Sequence, residues 1–218
     1  MPLRKLTIGG AATAVLVAGA IAPQAAVAGG LLSLVTNSSG TAATSTTACP
    51  AQPTTKAFAR WGDTADYSAL AGGGFEAGTT GWQLNTSTTK IVADQDSYNV
   101  GGVGTGALEL GRSASAASPA FCVDTTNPHF KFMVKGVTGS TVSTIIQYQQ
   151  ADGSWANALS TQQKVGAGST WAPSDVNPLS TSVPGLTAAK SAKVRLWWIN
   201  SGGTSRIDSV MVDPYRAR

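Results

Sequence analysis

From about residue 72 onward, apolar side chains recur at alternate positions in short runs, broken every ten residues or so by clusters of Gly, Asn, Ser and Pro. Such a pattern does not suit an amphipathic helix, whose apolar stripe needs spacings of three and four. It reads as an all-β chain of antiparallel strands, with candidates at 74–76, 82–84, 90–93, 107–110, 120–123, 129–135, 142–149, 155–159, 194–200 and 206–212. In the 129–135 run, Phe130, Phe132 and Val134 oppose Lys131, Met133 and Lys135. In the 194–200 run, Val194, Leu196 and Trp198 oppose Arg195, Trp197 and Ile199. One face of each strand is expected inside and the other in water. Asp152-Gly153, between Tyr148 and Trp155, marks a tight hairpin, because primed turns need a positive φ that Asp-Gly tolerates.

Ahead of this region the chain changes character. Residues 1–28 read as a secretory signal: Arg4 and Lys5 supply the charged start, 6–22 the apolar stretch, and Ala26-Val27-Ala28 a cleavage site before Gly29. Thr7, Gly9, Gly10, Thr13 and Gly19 dilute the apolar stretch, which favours cleavage over stable spanning. The protein is therefore expected outside the cell or at its surface, with no membrane span after cleavage. Losing Arg4 and Lys5 leaves 13 basic residues of 15 against 11 acidic, so the net charge falls from +4 to +2. No basic cluster interleaves with aromatics, which argues against nucleic acid as a partner. Residues 29–48 open on a small apolar patch at 31–35 and then read as a flexible linker; 49–218 read as one domain, expected to be monomeric, with 56–70 laid along it.

Cys49 and Cys122 are the two cysteines of the chain. In an oxidising compartment the simple expectation is one disulfide. Closing a loop of that span disfavours the unfolded chain by about 4 kcal/mol. A metal pair or reactive thiol would call for a C-x-x-C spacing or a neighbouring His, and neither is present.

Two phrases frame the domain: Gly72-Gly73-Gly74-Phe75-Glu76 with Gly81-Trp82 near its start, and Arg206-Ile207-Asp208-Ser209-Val210-Met211-Val212-Asp213-Pro214-Tyr215 near its end. Over roughly 72–215 these resemble the galactose-binding-like jelly-roll modules that include many carbohydrate-binding modules. The whole chain, with Ser118-Pro119-Ala120-Phe121-Cys122-Val123, also resembles small secreted proteins of unassigned function from high-GC Gram-positive bacteria. The first likeness implies an antiparallel jelly-roll β-sandwich whose first and last strands meet. In calcium-containing members the carboxylate after the first-strand Phe and the last-strand Asp hold a structural ion, and Glu76 and Asp208 match those positions. Calcium needs six to eight oxygens, so loop carbonyls would have to complete the set. Ser209 stands where such modules often have a second Asp. The alternative is that both carboxylates cap neighbouring backbone groups. The loop Asp94-Gln95-Asp96-Ser97 is a weaker ion site, lacking the Gly and distal Glu of an EF-hand.

The same likeness implies an extracellular or cell-wall glycan as partner. Sugar binding requires exposed aromatic faces with amides nearby. The candidates are Trp155 at a hairpin mouth, Trp171 in a loop, Trp197 on the outward side of its strand, and Tyr98, with Gln147, Gln149 and Gln150 beside them. For each ring, packing over the sandwich is the competing role; Trp82 and Trp198 are expected in the core. Gly102 to Ala107 superficially fits a dinucleotide fingerprint but reads as a turn, since no helix follows it. Catalysis is poorly supplied: His129 is the lone histidine, no G-x-S-x-G elbow is present, and Glu76 and Glu109 are the only glutamates for a glycosidase pair. A binding module is the leading reading, a sugar-free envelope interaction module the second, and a glycan-active enzyme the third.

Overall fold

The computed structural model describes residues 40–85 and 87–213. The signal segment, the patch at 31–35 and the tail from Pro214 lie outside the described residues. Two seven-stranded antiparallel sheets pack face to face. Sheet 1 runs β10 (Trp155–Val165), β9 (Ser140–Gln149), β13 (Ser191–Gly202), β6 (Ser115–Ala117) and β3 (Gln83–Leu84), with β1 (Thr44–Ser45) and β7 (Phe121–Asp124) also pairing with β13. Sheet 2 runs β11 (Ala172–Pro173), β8 (His129–Gly136), β14 (Ser205–Asp213), β5 (Gly106–Leu110) and β4 (Thr89–Ala93), with β12 (Asn177–Pro178) on β8 and β2 (Ser68–Ala69) on β14. From β5 onward the chain crosses repeatedly between the sheets, which makes the all-β antiparallel jelly-roll β-sandwich expected from the sequence.

The alternating residues of β8 and β13 explain the core. Phe130, Phe132 and Val134 meet Val194, Leu196 and Trp198 between the sheets. Trp198 is fully buried, stacked on Trp82 at 5.3 Å between centroids and edge-on to Phe132 at 5.8 Å. Each large side chain so buried contributes roughly 1.5–3 kcal/mol. The two framing phrases do meet: Leu70 donates to the Val210 carbonyl at 2.8 Å, and Val210 donates to that of Gly73 at 3.0 Å. A Cβ at Gly73 would stand 3.0 Å from Val210, so the glycine permits this approach. The expected Cys49–Cys122 disulfide is present, with its Cα atoms 5.5 Å apart.

Several expectations are corrected. Residues 74–76 form a turn with Phe75 at φ 57°, not a strand. The described part of the supposed linker is built into the sandwich: Ala42 is a core residue, β1 pairs with β13, and Ser191 Oγ donates to the Thr47 carbonyl. Short polar side chains hid this strand, because its pairing is carried by backbone groups. β10 continues to Val165, past the expected end at 159. The second face of β8 is not in water. Segment 56–70 does lie along the sandwich, and Phe58 and Tyr67 join Met133, Trp171 and Met211 in a second apolar cluster over the outer face of sheet 2. Lys131 is buried there, its Nζ 2.9 Å from Asp63 Oδ2 and 4.7 Å from the Phe58 ring centre.

Candidate functional site

That layer covers the outer face of sheet 2, and the candidate aromatic residues fall mainly on the outer face of sheet 1. Register determines what stands on it. Trp155 is opposite Gln149, and Asn157 opposite Gln147. Gln147 is in turn opposite Arg195, and Ile145 opposite Trp197. Ala117 lies between Trp197 and Gln83. Two indoles therefore share one pleated face. Separated by two strand spacings and four residues along the strands, their Cα atoms lie about 16 Å apart.

A chain of polar contacts runs between them. Gln147 Nε2 donates to Asn157 Oδ1 at 2.7 Å, Arg195 Nε donates to Gln147 Oε1 at 2.7 Å, and Arg195 Nη1 donates to Gln83 Oε1 at 3.1 Å. The Arg195 guanidinium lies 4.5 Å from the centre of the Trp155 ring. A cation so placed is attracted to the ring face and also stiffens the indole. Burial lowers the Arg195 pKa from its ordinary value. Trp197 is half-buried, but its indole N–H is sealed from water and has no hydrogen-bond partner among the described residues. What its ring offers outward is hydrocarbon, the surface that an apolar sugar face stacks on.

The candidate ligand residues therefore divide. Trp155 and Trp197 come together on this face with Gln147 between them, but Gln147 is buried and both ends of its amide are engaged, so it orients Asn157 and Arg195. Gln149 is on it too, but its amide donates to the Gly153 carbonyl at 3.2 Å, closing the expected hairpin. Trp171 is corrected: it is 4% exposed, packed in the second cluster under Lys135, because the loop that carries it is pinned to β8 by β11. Tyr98 is also apart from the group; it stands edge-on to Trp61 at 5.0 Å with Arg60 over its ring at 4.5 Å. Arg195 and Gln83 escape a reading of the sequence. Alternation puts Arg195 on the outward side with Trp197, but only strand order reveals that β10 and β3 flank it.

Glu76 and Asp208 are held differently from the ion-site expectation. Glu76 accepts the N–H of Thr105 and of Gly106. Its carboxylate fills the space where a side chain at Gly104 would stand. Asp208, 1% exposed, accepts the N–H of Asp96 at 2.8 Å through Oδ2 and that of Ser209 at 2.6 Å through Oδ1. Asp96, equally buried, accepts from Tyr98 N–H at 2.8 Å and from Ser209 Oγ at 2.6 Å. A bulge in β14 with Ser209 at φ 49° turns these groups toward the 94–105 loop. Burial pushes the Asp208 pKa up to about 7; its two N–H partners oppose that rise, and the charges of Asp96 and Glu76 add to it. Among the described residues no three His, Cys, Asp or Glu side chains converge as a metal site. Glu76, Asp96 and Asp208 each accept from N–H or O–H donors, so the donor set as arranged caps backbone and does not fit calcium.

Glu109, the second glutamate, is committed to Arg206 at 2.7 Å and Lys90 at 3.4 Å. His129 sits at the start of β8, 3.7 Å from Asp213. A separate cleft of about 460 Å³ beside the disulfide is lined by Leu70, Phe121, Asn127 and Val212 and lacks an indole. Among the described residues no helix is long and apolar enough to cross a membrane.

No protein-family model matches the sequence, and no curated protein matches it. Among solved structures the fold is similar to a family 61 carbohydrate-binding module in complex with β-1,4-galactotriose, at 17% identity and TM-score 0.43 over 67% of this chain and 97% of that one. It is similar to the family 22 xylan-binding domain from Paenibacillus barcinonensis, at 14% identity and TM-score 0.47 over 66% and 93%. A family 16 carbohydrate-binding module is alike at 14% identity and TM-score 0.43 over 66% and 99%. These are distant likenesses of outline.

Proposed function

We propose that the protein is an exported, non-catalytic module that binds extracellular or cell-wall glycan on the outer face of sheet 1. One observation carries the reading: among the described residues, Trp155 and Trp197 stand half-buried on the outer face of sheet 1, joined by the Asn157–Gln147–Arg195–Gln83 network. Apolar rings with convergent amide and guanidinium donors are what stacking on a sugar face and bonding its hydroxyls require. The rings are held in advance by cross-strand neighbours, which lowers the entropy cost of binding. Glu76 and Glu109 are both committed to other partners, which supports binding without hydrolysis. The export signal read at 1–28 would deliver the module to such polymers.

The test is affinity electrophoresis or titration calorimetry against xylan, galactan, peptidoglycan and acidic polysaccharides. Trp197→Ala and Trp155→Ala, each checked for an unchanged melting temperature, are expected to weaken binding by roughly ten- to a hundredfold, as for the loss of a central aromatic anchor. Silence across the whole panel would sink the reading and leave an envelope interaction module in its place.

A further inference from the structure

The strands that build this face, β3, β6, β9, β10 and β13, contain no Asp or Glu. Their charged side chains are Lys164, Lys193 and Arg195. Two acids stand at its margin and keep their charge: Asp124 on β7, which accepts the Thr126 N–H at 2.8 Å, and Asp152 at the hairpin tip, which accepts that of Ser154 at 2.9 Å; neither pairs with Arg195 among the described residues. Elsewhere in the fold, half-buried cations have counter-ions. Lys131 has Asp63, Lys135 has Asp94, and Arg206 has both Asp94 and Glu109. Arg195, half-buried like them, contacts two neutral amides and a ring, with no carboxylate within ion-pair distance among the described residues.

We infer that the sheet 1 face takes a glycan bearing carboxylates, a uronate-containing polysaccharide, with one carboxylate seated on Arg195 between Trp155 and Trp197. Arginine has five N–H donors. One at Nε is used by Gln147 and one at Nη1 by Gln83, leaving three, two of them on Nη2. A planar carboxylate matches that fork, and the pair is strongest where both groups are already partly desolvated. The flanking amides orient the guanidinium without neutralising it, so its charge is left for a ligand. Lys193 and Lys164 extend the positive surface along the same face, suiting a polymer with repeated charge rather than a single acidic sugar.

This inference rests on the glycan-binding reading, and its test separates the two. The protein is titrated with polygalacturonate, alginate and glucuronoxylan, each beside its own carboxyl-reduced form, and with neutral xylan and galactan. At least one acidic polymer is expected to bind about tenfold or more tighter than its reduced form, the scale of a charge-assisted hydrogen bond. In R195Q that ratio is expected to fall severalfold, leaving the part owed to Lys193 and Lys164, with R195K keeping more of it. For the unmodified protein, raising the salt concentration should weaken binding of the acidic polymer and leave its reduced form unaffected. If no acidic polymer exceeds its reduced form, or the ratio is undiminished in R195Q, the inference is overturned while the glycan reading stands. If no polysaccharide binds at all, the glycan reading fails and takes this inference with it.

Discussion

Asp208 gives the sharpest quantitative prediction. Its carboxyl ionises at about 7 in the fold, against an ordinary value of 3.8. A carboxyl raised in this way contributes stability that is complete below about pH 4 and is lost as the pH rises through 7. At about 1.4 kcal/mol per pH unit, the loss across that window is about 4 kcal/mol, or roughly 10 °C in melting temperature for a domain of this size. Asp213 is also raised by burial and acts in the same direction, whereas Asp63 and Asp94 are held low by cationic partners and act below pH 4. The comparison of the unmodified protein with Asp208→Asn cancels those shared terms. Asn keeps the shape and one acceptor but turns an NH2 group toward a backbone N–H, a penalty of about 1–2 kcal/mol at every pH. Denaturant unfolding in chelator at half-unit steps from pH 4.5 to 8 should show the unmodified protein ahead at the acid end. Its advantage should then shrink or reverse by about 3 kcal/mol toward pH 8, the part of the window above pH 4.5. A constant difference would show an unshifted carboxyl, and one that grows with pH a fold that prefers the carboxylate; either would refute the reasoning. Calcium added at pH 7.5 is expected to leave the melt in place; an upward shift would restore Glu76 and Asp208 as ion ligands.

Two further perturbations probe the frame. Replacing Cys49 and Cys122 together by Ala should lower stability by about 4 kcal/mol in denaturant unfolding, with unchanged circular dichroism at low temperature, because the bridge acts mainly on the unfolded chain. Asp63→Asn leaves Lys131 buried without its counter-ion and should reduce stability by roughly 2–3 kcal/mol, less than for a sealed pair because Asp63 is still one-fifth exposed. A loss under about 0.5 kcal/mol would mean that Lys131 reaches water, as surface pairs do.

The strands that could be read in the sequence are those whose side chains alternate between two environments. β8 and β13 show this: Phe130, Phe132, Val134, Val194, Leu196 and Trp198 all face the core. β6, made of Ser115, Ala116 and Ala117, carries no such signal, because small residues fit equally well in strand, turn or linker. The covering segment was legible as a piece laid on the sandwich, but not which sheet it covers. That choice decides that Trp171 is packed and Trp197 is half-open. At the site, Trp155, Trp197 and Gln147 were legible from residue type and parity. Arg195 was not, since its role depends on strand order. Asp96 was noted only as part of a loop; its link to Asp208 spans 112 residues of sequence, and no local pattern encodes it.

The bridge between Cys49 and Cys122 has a consequence for how the protein survives proteolysis. The 73-residue separation makes a covalent ring that contains the 94–105 loop, where Val103 is 88% exposed. Exposed loop tips are the usual sites of nicking. A cut at Val103 would open the ring without releasing either piece, since both would remain tethered through sulfur and β13 would keep its hold on β1. The damaged molecule would run as two bands only after reduction.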